Sequence, residues 1–169
     1  MRKKVKRKDR KMCYAMSKKR WVCLTVIIFL VLVWTVTIFA QSAKNGVEST
    51  EDTNKIMRLI ENIAERLGLD AEISAHVLRK LAHFGEYMIL GLLAAGVAGI
   101  LGKTFLYPCA WGYTIAVALV DEFVIQRMTE GRGPSIKDVG IDAAGALVGI
   151  LLVIGVAWWL CRRRLKGRG

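Results

Sequence analysis

The sequence predicts an all-α, polytopic membrane protein with four transmembrane helices, N- and C-termini in the cytoplasm and a short amphipathic helix on the outer side. Three observations predict it. Apolar residues make up 54% of the 169, and they fall in long blocks rather than at the intervals of a soluble core. Positive charge gathers at the two ends of the chain. The four cysteines avoid every segment that this charge bias assigns to the outside.

Met1 to Arg20 carries 11 Lys or Arg against one Asp. Residues 1–20 therefore read as a basic cytoplasmic tail whose natural partners are the bilayer and its anionic lipids. Trp21 to Ala40 follows, 20 residues without an ionisable group, long enough as a helix to cross a hydrocarbon layer of roughly 30 Å. A cleaved signal peptide is the competing reading of this block. Its apolar run exceeds the usual length of about 7–15 residues, and no clean A-x-A site follows it.

Gln41 to Asn54 is polar and reads as an outer loop. From Asn54 to Leu67 the apolar residues Ile56, Leu59, Ile60, Ile63 and Leu67 fall at helical spacing. They predict an amphipathic helix over 54–67 that lies on the outer leaflet or caps the bundle, ended by Gly68. Asp70 can cap the next helix, whose apolar positions Ile73, Val77, Leu81 and Phe84 run into the second span, so approach and span form one element.

The second span, 84–101, is broken only by Glu86. Gly102 and Lys103 then make a two-residue link to a third span over 105–123, with Pro108 in its first turn, where a missing N–H is tolerated. Ser135 followed by Asp138 has the form of a capping box, so a helix should start there. It becomes the fourth span, 139–161, broken only by Asp142, and 162–169 is a second basic cytoplasmic tail. In a three-span alternative, Phe84 to Val120 folds as a re-entrant pair.

Orientation follows from the loops. Segment 41–83 has six basic and seven acidic residues and segment 121–138 three and four, so neither carries the basic excess of a cytoplasmic loop and both should face outward. Cys13, Cys23, Cys109 and Cys161 all fall on or near the inner side, which argues against a disulfide framework. Trp21, Trp158 and Trp159 sit at inner boundaries, as an interfacial belt requires. The net charge of +12 resides largely in the two tails, so topology accounts for it and no nucleic-acid partner is expected.

Ionisable groups at the ends of membrane helices are costly and need a reason. Arg79, His83 and Glu86 share a face of the second helix, with Lys80 beside it; Glu122 and Gln126 form an i, i+4 pair next to Asp121; Asp138, Asp142, Gly145 and Gly149 line one stripe of the last helix. Four spans bring all of these to one side, and the small residues let a neighbouring helix approach so that the acids face inward. Candidate catalytic residues are His83, Glu86, Glu122 and Asp142. Candidate substrate-binding residues are Arg79, Lys80, Asp121, Gln126, Arg132 and Asp138.

Four readings of this cluster compete: a binding site for an anionic group, a hydrolase or transferase with His83 as general base, a transport or proton relay, and an ion-pair clamp that holds helix ends. The enzyme reading lacks an obvious nucleophile. One histidine with several carboxylates suits a hard or borderline divalent ion, but neither H-x-x-x-H nor C-x-x-C spacing occurs, and no metal or other cofactor is expected.

Two blocks of this cluster resemble the VanZ-like family of bacterial membrane proteins: RKLAHFGEY from Arg79 to Tyr87, and the series DEFVIQ, GR and KDVGIDAAGALVG from Asp121 to Gly149. IFAQSA, from Ile38 to Ala43, is similar to the family's segment after its first helix, with Ala40 where Ser is more usual. The resemblance covers roughly residues 21–155. It implies a small multi-span protein of the bacterial cytoplasmic membrane, in a family whose founding member is associated with low-level teicoplanin resistance. It places His83, Glu86, Asp121, Glu122, Gln126, Arg132, Asp138 and Asp142 in the family's polar series. The polar pocket suits a lipid-linked or surface-exposed envelope molecule, a lipid-linked cell-wall intermediate among them.

Overall fold

Ser17 opens the first helix: its hydroxyl accepts the Arg20 N–H at 3.3 Å, satisfying one of the donors that a helix start leaves free. In the computed structural model, residues 17–43, 75–129 and 133–166 are described. The tail over 1–16, the amphipathic helix expected at 54–67, Arg132 and the side chain of His76 lie outside them. The described residues form helices: α1 (Lys18–Ser42), α2 (Ala75–Leu101), α3 (Leu106–Val120) with a π turn (Asp121–Ile125) and a short 3-10 turn (Gln126–Met128), and α4 (Ile136–Lys166). Among the described residues four helices are long and apolar enough to cross a membrane, as the sequence predicts.

Helix α1 touches its neighbours along a narrow seam, Leu24, Val31, Ile38 and Ser42, while Val22, Val26, Phe29, Val33 and Val36 stay exposed at three- and four-residue intervals. That exposed face is the one such a helix turns to lipid. Its threonine hydroxyls are satisfied within the helix, Thr25 by the Trp21 carbonyl at 3.1 Å and Thr37 by that of Val33 at 2.9 Å, as an apolar medium requires.

The tightest pair is α2 with α4, which run parallel. A Cβ added at Gly149 would meet the Met88 carbonyl and come within 2.8 Å of the Leu92 nitrogen; one at Gly91 would lie 2.8 Å from Ala146 C, and one at Gly145 3.1 Å from Phe84 C. Backbone therefore lies against backbone, the packing expected of the small-residue stripe. Ala94, Ala95 and Ala98, further along α2, are also buried.

Three cross-helix hydrogen bonds lay outside the sequence reading. Trp34 donates to the Glu86 carbonyl at 2.9 Å, Trp111 to the Ala143 carbonyl at 3.1 Å, and the Thr35 and Tyr113 hydroxyls meet at 2.8 Å. The α2–α3 link spans four residues, 102–105, rather than two. Gly102 takes a φ of +66° there, which closes α2 at no steric cost. Arg20 donates to the Ile100 carbonyl beside this link, and at the same end Arg162 and Arg163 stack on Trp158 and Trp159 at 4.7 and 4.0 Å.

Candidate functional site

The opposite end of the bundle gathers the polar residues. The end of α1, the first turns of α2, the π turn after α3 and the start of α4 meet there, so the convergence of three sequence-distant segments at one depth holds, with α1 as a fourth contributor.

The π turn explains how two consecutive acids can both be buried. An α-helix sets neighbouring side chains about 100° apart, whereas the wider turn brings residues four and five apart onto one side. Gln126 accordingly donates from Nε2 both to Glu122 Oε2 at 2.6 Å and to Asp121 Oδ2 at 3.3 Å, and its backbone N–H bonds the Asp121 carbonyl. Ser42, one turn beyond Ile38 on the α1 seam, donates to Asp121 Oδ2 at 2.9 Å.

The start of α4 is fixed from outside its own turn. The Ser135 N–H donates to Glu122 Oε1 at 2.6 Å, so Glu122 fills the place that a capping box gives to the third helical residue. That residue, Asp138, pairs instead with Lys80 at 3.3 Å, tying α4 to α2. The helix starts where the Ser135 signal puts it, with a cap completed by tertiary structure.

A small cavity of about 20 Å³ lies among Arg79, Lys80, His83, Gln126, Asp138, Ile141 and Asp142, room for roughly one water-sized body. Asp142 is 1% exposed, and neither of its carboxylate oxygens has a hydrogen-bond partner among the described residues. Buried polar groups are normally satisfied, so this carboxylate requires an explanation. His83, Asp121 and Asp142 each place one nitrogen or oxygen within 4.8 Å of the other two.

Of the sequence candidates, the structure therefore brings together Arg79, Lys80, His83, Asp121, Glu122, Gln126, Asp138 and Asp142. Glu86 sits one turn further along α2, half-buried, and does not line the cavity. Tyr87, next to Glu86, is fully buried in the core, its hydroxyl without a hydrogen-bond partner among the described residues. Ser42 was missed as a site residue. Its signal was the seam itself, since Leu24, Val31 and Ile38 recur every seven residues and Ser42 continues that face one turn on.

Neither the curated proteins nor the solved structures contain a match to the chain. The VanZ/LLP1 family model matches residues 26–160, a stretch that includes every described candidate residue and all but the ends of the first and last helices. With most of its length so matched, and with the acidic pair, the glutamine and the α4 aspartates joined in one buried cluster, the chain belongs to the VanZ/LLP1 family.

Proposed function

We propose that the cluster binds the anionic headgroup of a lipid-linked envelope molecule at the outer face of the bacterial cytoplasmic membrane. The observation that carries this reading is the cavity between α2 and α4, where Arg79 and Lys80 stand beside a buried acid whose oxygens make no hydrogen bonds to described residues. A clamp satisfies the groups it holds; this cavity leaves polar capacity over. Its size admits a single oxygen or water-sized group, so the rest of a headgroup would rest outside it, over the two half-buried cations. The depth also fits, because a lipid-linked molecule presents its charged group at helix ends while its chain stays in the hydrocarbon layer.

Two measurements test the reading. The full chain in detergent, titrated with a polyprenyl phosphate and followed by native mass spectrometry, should bind it in preference to phosphatidylcholine. The double change Arg79→Ala and Lys80→Ala should weaken binding by at least about tenfold, equivalent to ~1.4 kcal/mol. Equal affinity in the double variant would exclude these two residues as the headgroup clamp. For the orientation, Met128, 83% exposed at the site end, is replaced by Cys in a cysteine-free background; an impermeant thiol reagent applied to intact cells should label it and leave Lys103→Cys untouched. The reverse pattern would place the site on the cytoplasmic side.

A further inference from the structure

We propose that His83, Asp121 and Asp142 form a binding site for one first-row divalent cation of the Mn²⁺ or Zn²⁺ kind. The three residues come from α2, the π turn and α4, and their ligand atoms lie within 4.8 Å of one another. Metal–ligand distances are about 2.0–2.6 Å, so ligands on opposite sides of one ion stand about 4–5 Å apart. The observed spread needs only modest side-chain adjustment to close on an ion.

Asp142 supplies the independent observation. A carboxylate 1% exposed, with neither oxygen hydrogen-bonded to a described residue, costs several kcal/mol unless a charge meets it. Arg79 and Lys80, which line the same cavity, are only half-buried. Lys80 is engaged with Asp138 at the rim. A divalent ion held between His83, Asp121 and Asp142 meets the Asp142 carboxylate directly.

The surroundings fit the ligand set. Ser42 and Gln126 hold Asp121 Oδ2 at 2.9 and 3.3 Å, the kind of support that orients metal-ligating carboxylates. The cavity beside His83 and Asp142 has the volume of one small body. One imidazole nitrogen with two carboxylates is a hard-to-borderline donor set, and three protein ligands leave coordination positions open.

An open position facing Arg79 and Lys80 also resolves an oddity of the pocket, since acids line a site read as accepting an anion. A bound cation gives an anionic oxygen something to coordinate. That step rests on the headgroup reading; the metal site itself does not.

The test uses the full chain in detergent, stripped with chelator and titrated with Mn²⁺ alone, followed by electron paramagnetic resonance and thermal unfolding. Mn²⁺ is chosen because it favours oxygen and nitrogen donors over the protein's thiols. One equivalent should bind per chain and raise the unfolding temperature. Asp142→Asn should lower the affinity at least about 100-fold and abolish the rise, while its metal-free unfolding temperature equals or exceeds that of the wild type. His83→Gln should show the same loss of affinity, which keeps the test decisive if one variant fails to fold. Arg162→Ala, at the opposite end of the bundle beside Trp158, should bind Mn²⁺ as the wild type does. Absence of stoichiometric binding of both Mn²⁺ and Zn²⁺, or unchanged Mn²⁺ affinity in Asp142→Asn and His83→Gln, overturns the site. No lipid is present in this titration, so its failure leaves the headgroup reading standing, and failure of polyprenyl phosphate binding leaves the metal site standing.

Discussion

Gly149→Leu is expected to abolish the folded bundle. At this position even a Cβ would meet the Met88 carbonyl and lie 2.8 Å from the Leu92 nitrogen. These are backbone atoms of a neighbouring helix, so no rotamer change can make room; α2 and α4 must separate along their main contact. Overpacking in a deformable core costs about 1–3 kcal/mol, and a clash between two main chains should exceed about 3 kcal/mol. Size-exclusion chromatography and thermal unfolding in detergent would show aggregation or a collapse of the unfolding temperature. Gly155→Leu is the matched control, on the same helix with nothing within 4 Å of its Cβ position. A folded, wild-type-like Gly149→Leu protein would contradict the α2–α4 packing described above.

Glu122→Ala should have the second largest effect, by a different route. Its carboxylate accepts from Gln126 Nε2 and from the Ser135 N–H, both at 2.6 Å. Truncation takes one of two acceptors from the buried Gln126 amide and the acceptor of the part-buried Ser135 N–H, at about 1–3 kcal/mol for each. Removing a buried charge returns part of that, so the net loss should be about 2–4 kcal/mol. Hydrogen exchange offers a sharper readout than the unfolding temperature. The Ser135 amide and the first turn of α4 should lose protection, while the middle of α4, held by Ala146 and Gly149, keeps it. Glu122→Gln, which retains one carbonyl acceptor, should fall between Ala and the wild type. Unchanged protection at Ser135 in Glu122→Ala would show that the cap is made elsewhere.

Much of this architecture was legible because it follows from local regularities. Blocks such as Trp21 to Ala40 announce spans by length alone, and the Asp138, Asp142, Gly145, Gly149 stripe announces a close helix contact by period. The convergence of the polar groups also follows, once four spans fix which helix ends share a side. What stayed hidden depends on departures from regularity or on contacts across helices. DEFVIQ reads as the end of an α-helix, and nothing in its composition marks the π turn that buries Asp121 and Glu122 together. Ser135 and Asp138 read as a self-contained cap, yet Glu122, 13 residues earlier in sequence, completes it. The grouping of His83 with Asp121 and Asp142 escapes any spacing rule, because each ligand comes from a different helix. Tyr87 directly follows the ionisable Glu86, which says nothing of depth; packing in the parallel α2–α4 pair and against α1 places it in the core.

The glycine seam has a consequence for conformational entropy. Where long side chains interlock, joining two helices freezes rotamers on both. At Gly91, Gly145 and Gly149 there are none to freeze, and helices that are already formed in the bilayer before they associate have no backbone disorder left for glycine to lose. The α2–α4 pair is thus joined at low ordering cost, and the positions of His83 and Asp142 relative to each other inherit the stiffness of two main chains in contact.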